Sequence, residues 1–365
     1  MLRWSAEPEP VALIEALPSR PALLEARALD NPLPGFPVRG EMSESDATVL
    51  FPTLRRGLDV FDPLVYFRRP AGLDFTVRAA EHPDGSWRII TNEIGLRQDW
   101  ELAEDPPDLR VLVIGDSQIS GVCPYSETIP GRLRERFAAD YPDRRVEVVN
   151  AGKGAWTFHN YLGMVQRMEA YEPDVIVVAS YAGNDYSEAL LLHHYFARSA
   201  PPPHSKEYMA RVHKSVRRTN GARTHSLLQA YYLSEHPEEE AVARGSSSAV
   251  TSEILATCAA ATTPVVFVNI PTPFGVQPES YGESTHEVLM HLELDAAALA
   301  VNERLSAAWL ASLRERGATV VDLTSAFESE TQPLFWFTNH HLNGYANQIA
   351  AAELFPRLEA FLPGR

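Results

Sequence analysis

The stretch "RVLVIGDSQISG" at residues 110–121 decides how the chain is read. Val111–Ile114 is apolar without alternation, the pattern of a central parallel strand covered on both faces. The run then stops on Gly115, Asp116 and Ser117. The carboxyl edge of an open α/β sheet is where ligands bind, and a serine just past such a strand sits at the mouth of a site on a rigid element. Alone, the tripeptide reads more readily as a turn or a helix cap. A nucleophile also requires a base and an oxyanion site elsewhere in the chain.

Downstream, apolar strands alternate with helical runs: "RVLVIGD", "VEVVNAG", "VIVVAS", "VVFVNIP" and "TVVDLTS" are separated by segments such as "ETIPGRLRERFAADY" and "FHNYLGMVQRMEAY". Five strands with crossover helices predict an α/β fold with a mostly parallel, three-layer sheet. The rhythm breaks at about 187–250, where "RSAPPPHSKEY" and "EHPEEEAVARGSSS" read as an inserted cap or loop region beside the sheet edge. Upstream, residues 1–105 read as an N-terminal arm with one short helix-like run, "VALIEAL", followed by a small β element around "LDFTVRAAE" and "SWRIITNE". The main α/β domain is expected over 106–365.

With 45% hydrophobic and 22% charged residues, the 365-residue chain has the composition of an ordinary globular protein. A net charge of −16 argues against general affinity for nucleic acid or anionic membranes. No apolar stretch approaches the length of a membrane span, and Glu and Pro interrupt the first residues before a signal-peptide core forms, so a cytoplasmic location is the expectation. Cys123 and Cys258 define neither a disulfide nor a metal site by spacing. His193 and His194 in "LLLHHYF" lack a ligand pattern around them and are read as structural.

Three more stretches fall at the same sheet edge. "NAGKGAWT" follows the second strand and is rich in small residues whose N–H groups suit an anion. "SYAGNDYSE" follows the third and offers the Asn184 amide, and "FTNHHLNGYANQIAAAEL" puts His341 just before the last helix. Serine, amide donors and histidine at one edge are the parts for acyl transfer.

In these four blocks, "GDSQISG", "NAGKGAWT", "AGNDY" and "HHLNGYANQIAA", the chain resembles the SGNH (GDSL-type) hydrolases over about residues 85–362. The upstream "ITNEIGLRQ" is similar to a segment preceding the GDS strand in one bacterial branch of that family. The resemblance implies a flavodoxin-like α/β/α sandwich of strand order 2-1-3-4-5 and esterase, deacetylase, thioesterase or acyltransferase chemistry without a metal or other cofactor. Carried over by position, it implies Ser117 as nucleophile and N–H donor, Asn184 as a second oxyanion donor and His341 as general base. His340 lacks the match and is read as a surface or supporting residue, and Asp116 and Asp185 as turn anchors.

Two departures from the family pattern stand out. An ungapped match sets Ala155, rather than Gly154, at the oxyanion glycine, leaving either N–H as the donor. Where the family carries an aspartate before the histidine, this chain has Asn339 and Thr338. Asn339 or a backbone carbonyl is then expected to orient His341, with Asp322 as a distant substitute acid. Trp336 and Phe337 fit an apolar substrate wall or the core equally well. The leading expectation is a serine esterase that removes a small acyl group from a carbohydrate or secondary-metabolite oxygen ester. The alternatives are an O-acyltransferase with the same chemistry and an inactive glycan- or ester-binding protein.

Overall fold

A computed structural model describes residues 35–168, 171–219 and 221–364; the "VALIEAL" run lies outside them. A short helix (Glu44–Leu50) and a helical turn (Pro52–Arg55) lead into two antiparallel hairpins. β1 (Val60–Asp62) pairs with β2 (Tyr66–Arg68), and β3 (Asp74–Arg78) pairs with β4 (Ser86–Ile90). The five strands read from the sequence follow: β5 (Leu109–Gly115), β6 (Val146–Gly152), β7 (Val175–Tyr181), β8 (Val265–Ile270) and β9 (Thr319–Asp322). They form one parallel sheet of order β6-β5-β7-β8-β9, which is 2-1-3-4-5 when its own strands are counted.

The unbroken apolarity of β5 has a direct cause. Leu112 and Ile114 join one core with Val149, Val178 and Phe267, whereas Val111 and Val113 join another with Val148, Val177 and Val268. Both faces are covered, so neither set of alternating side chains can be polar. Helices α1 (Ser117–Ser120), α2 (Ile129–Asp140) and α3 (Phe158–Met168) follow the first two strands. α4 (Asp185–Ala197), α5 (Lys206–Arg218), α6 (Gly221–Glu235) and α7 (Glu238–Ala260) lie between β7 and β8. α8 (Gly282–Leu292) and α9 (Val301–Glu315) precede β9, and α10 (Gly344–Leu358) closes the chain. Leu133 and Phe137 of α2 pack with Leu354 and Phe355 of α10 on one side; Leu162, Val250, Ile254 and Trp309 of α3, α7 and α9 pack on the other.

The 187–250 stretch divides between two cores. Leu190, Leu192 and Tyr195 of α4, and Val250 of α7, belong to the main core under the sheet. Tyr208, Val212, Leu227 and Tyr231 of α5 and α6 form a separate small core with Val288 and Leu292 of α8. This small core is therefore built from two chain segments, the second contributed after β8. Among the described residues of the N-terminal region, Leu50, Phe51, Val65, Phe67 and Leu96 are buried in the same cluster as β5 and β6.

Among the described residues no helix is long and apolar enough to cross a membrane. No group of three or more His, Cys, Asp or Glu among them is placed to hold a metal ion. His194 instead binds Glu239 through Nε2 at 2.7 Å and Ser199 through Nδ1 at 2.8 Å, and Cys123 and Cys258 are both buried and not disulfide-bonded.

Candidate active site

β5 ends in a sharp turn into α1. Asp116, fully buried, caps this helix by accepting the Gln118 N–H at 2.8 Å, so Ser117 becomes the first helical residue and stays half-buried at the edge. The Ser117 hydroxyl lies 3.3 Å from Asp116 Oδ2. Burial pushes the Asp116 carboxyl up to about 7, against the pull of its bonds to Gln118 and Ser117.

The second block curls over the serine. Asn150 folds back on itself, its Nδ2 donating to Ile119 O and its Oδ1 accepting from Gly152 N. Gly152 packs so closely that any Cβ there would strike Ser120 N. Trp156 N donates to Lys153 O at 3.2 Å, closing a turn in which Ala155 adopts φ 62°. That left-handed geometry is the one a glycine normally supplies, and it falls on Ala155 rather than Gly154. Gly154 faces the serine, since a Cβ added to it would sit 3.6 Å from Ser117 Cβ.

Asn184 is the N-cap of α4, but its side chain makes no capping bond, and its Oδ1 is buried without a hydrogen-bond partner among the described residues. Its neighbour Asp185 points inward, accepting from Tyr181 N at 2.9 Å and Tyr161 Oη at 2.8 Å. The Asp185 backbone carbonyl accepts from Thr157 Oγ1, tying the second and third blocks together. Burial, then the Asp116 charge, raises the Asp185 pKa well above the carboxylate range. Both acids act as anchors under the site.

His341 stands three residues before α10, whose N-cap Asn343 accepts from Ala346 N. Asn339 Oδ1 accepts from His341 N at 2.9 Å and pairs with Nδ1 at 3.0 Å. An amide oxygen only accepts, so this contact selects the tautomer with hydrogen on Nδ1 and a lone pair on Nε2. Desolvation, reinforced by the charge of His225 on α6, pushes the His341 pKa down to about 3. Asp322 gives Oδ1 to Thr324 and Asn269 instead.

His340 is 95% buried, not at the surface: it stacks on Tyr181 at 5.4 Å and 11°, with His225 5.9 Å away on its other contact. Phe337 is exposed beside Tyr281, while Trp336 donates its Nε1 hydrogen to Val122 O at 3.1 Å.

Residue-by-residue sequence reasoning missed Gln118. Its buried amide donates to His340 O at 3.1 Å and accepts from Leu342 N at 3.0 Å, gripping the backbone on both sides of His341. The serine turn and the histidine loop are joined through this one side chain. Nothing in the local pattern signals a partner 222 residues away.

Among solved structures, the chain is similar to LAE5, an alpha/beta hydrolase from the metagenome of Lake Arreo, Spain, with 15% identity and a TM-score of 0.41 over 69% of this chain and 96% of that one. It is similar to a catalytic mutant of Axe2, an acetylxylan esterase from Geobacillus stearothermophilus, with 12% identity and a TM-score of 0.42 over 72% and 100%. A putative acylhydrolase from Bacteroides fragilis gives 12% identity and a TM-score of 0.39 over 69% and 88%. No curated relative matches the chain. The model of the GDSL-like Lipase/Acylhydrolase family matches residues 113–349, a span that holds the serine turn, the second and third blocks and the histidine loop. The chain belongs to that family, and it is an ester-bond hydrolase.

Proposed function

We propose a serine esterase that removes a small acyl group from an oxygen ester of a carbohydrate or secondary metabolite through an acyl-enzyme on Ser117. In this reading Ser117 Oγ attacks the carbonyl carbon while His341 Nε2 takes its proton. The oxyanion is held by the N–H groups of Ser117 and of Gly154 or Ala155, and by the Asn184 amide. Collapse of the tetrahedral species breaks the ester C–O bond, and His341 returns the proton to the leaving alcohol. Water, deprotonated by the same nitrogen, then releases the acid and restores the serine.

The observation that carries the reading is the Gln118 clamp, which couples the turn bearing Ser117 to both sides of a histidine already set in the tautomer a base requires. Beside the clamp, the His340 ring lies between those of Tyr181 and His225 and stacks on His341.

A fluorophosphonate probe followed by intact-mass measurement and peptide mapping tests the proposal. One adduct on Ser117, absent from Ser117→Ala, is the expected result. An unlabelled wild-type protein would favour a ligand-binding role for the cleft. Adding glycerol as acceptor during p-nitrophenyl acetate turnover distinguishes hydrolysis, which releases acetate, from transfer, which releases glyceryl acetate.

A further inference from the structure

The N-terminal region lies outside the stretch 113–349 that matches the family, yet it reaches the site from two directions. On the serine side, Arg69 donates to Gly152 O at 2.9 Å and to Ser120 Oγ at 2.6 Å. Arg97, from the "ITNEIGLRQ" segment, is buried and donates to Gly121 O at 2.7 Å and to Cys123 O. On the histidine side, the turn between β3 and β4 presents Glu81. Its Oε2 accepts from Phe337 N at 2.5 Å and its Oε1 accepts from Thr338 N at 2.8 Å.

These two N–H groups belong to the tip of the loop that leads into Asn339 and His341. The loop has little secondary structure, closing through the isolated Phe335–Leu342 bridge and the Asn343 N to Leu334 O bond. Successive N–H groups converging on one carboxylate form a small anion nest, and bonds to an ionised acceptor are the stronger kind. The neighbouring His82 fastens the same turn, with Nε2 3.4 Å from Glu127 Oε2 and its ring 6.0 Å from that of Trp336. In-loop positions 338 and 339 carry no acid.

We propose that Glu81 is a positioning residue for His341: the N-terminal hairpin supplies, from outside the family-matched stretch, the carboxylate that holds the histidine loop in its working shape. The inference rests on the reading of His341 as the base. Glu81 acts through the backbone, because the ring's hydrogen bond is to Asn339. Of the titratable groups nearby, His340 stacks on His341 with ring centroids 4.4 Å apart, His225 on α6 bears on its charge, and Glu81 on the hairpin reaches the loop through the Phe337 and Thr338 N–H groups. Burial is the leading cause of the low His341 pKa. A loop released from Glu81 admits water, so that pKa rises toward 6.5 even though a negative charge has been removed.

The test compares wild type, Glu81→Ala and Glu81→Gln by kcat and KM on p-nitrophenyl acetate from pH 4 to 8, with the His341 titration followed by NMR. Glu81→Ala is expected to lower kcat about tenfold with KM within about twofold, and to raise the His341 pKa. Glu81→Gln keeps one acceptor oxygen and recovers part of the rate; it also carries the test if the alanine variant folds poorly. Wild-type kcat and His341 titration in both variants would overturn the proposal, as would a loss of thermal stability with kcat and pKa unmoved. Wild-type protein that fails to label with fluorophosphonate would sink the esterase reading alone, because the NMR comparison reads the loop without turnover.

Discussion

The serine turn and the histidine loop are joined through Gln118 but are held in different ways. The serine itself is set locally, by a fully buried strand that runs into a helix capped by the residue before it; the distant Arg69 and Arg97 fasten only the far end of that turn, at residues 120–123, and the adjoining Gly152. The histidine loop is supported from a distance, by Gln118 from the serine helix, by Val122 O through Trp336, and by Glu81 from the N-terminal hairpin. Changes in the turn should therefore remove chemistry and leave the fold, whereas changes around the loop should lower the rate by degrees.

The largest expected effect breaks the chemistry at its centre. Ser117→Ala should reduce p-nitrophenyl acetate hydrolysis by roughly 10⁴-fold or more. Its unfolding free energy should move by less than about 1 kcal/mol, because among the described residues the side-chain bond lost is the 3.3 Å contact to Asp116. Retained activity would remove Ser117 from the mechanism. Next comes Asn184→Ala, expected to slow kcat by about 10²–10³, the effect of losing one oxyanion donor. Its stability should hardly change, since the Asn184 side chain makes no capping bond. An unchanged rate would make that residue merely an element of the α4 turn.

The same contrast explains what the sequence discloses. The five strands and the serine turn are legible because their causes are local: unbroken apolarity where both faces are covered, then a glycine, a cap and a hydroxyl. Asn184 and His341 are legible as blocks in a known order. Gln118, Arg97 and Glu81 are not, because each matters through a partner that folding alone brings near; Glu81 and Phe337 are 256 residues apart. The small core of α5 and α6 shares this difficulty, as α8 completes it from beyond β8. Composition marks where the 187–250 stretch leaves the αβ rhythm, but not that Leu190 and Val250 return to the main core. Ala155 is an intermediate case: its residue type argues against a left-handed turn, and its register with the family argues for one.

Gln118→Ala tests whether distance support matters as much as local support. It strips partners from His340 O and Leu342 N, both on the backbone around His341. Each buried group left unpaired costs about 1–3 kcal/mol, so denaturant unfolding should register a clear loss. Displacing the histidine should lower kcat on the order of 10–100-fold at temperatures where the variant is folded. A variant with wild-type kcat would mean that the loop keeps its shape without the clamp.

The smallest effect concerns residue 339 and sharpens the comparison at the histidine itself. In a serine protease, replacing the triad aspartate by asparagine costs about 10⁴ through the wrong tautomer. Here Asn339 already presents Oδ1 to Nδ1 at 3.0 Å, so the tautomer is right and what is missing is charge. With the His341 pKa pushed down to about 3, the imidazole stays neutral through the mildly acidic range, and kcat/KM should remain flat there where an Asp-His pair would already be losing activity. Asn339→Asp places a carboxylate against the ring. A hydrogen bond to a charged partner contributes about 1.5–3 kcal/mol, which raises the His341 pKa by about 1–2. The acidic limb of kcat/KM should move upward by that amount, and the rate at neutral pH should rise by about tenfold, as a better base takes the Ser117 proton. A pH–rate profile on p-nitrophenyl acetate reads both effects at once. If neither limb nor plateau responds, the 339 side chain does not govern the histidine in solution, and its orientation rests on the Gln118 clamp and the Glu81 nest alone.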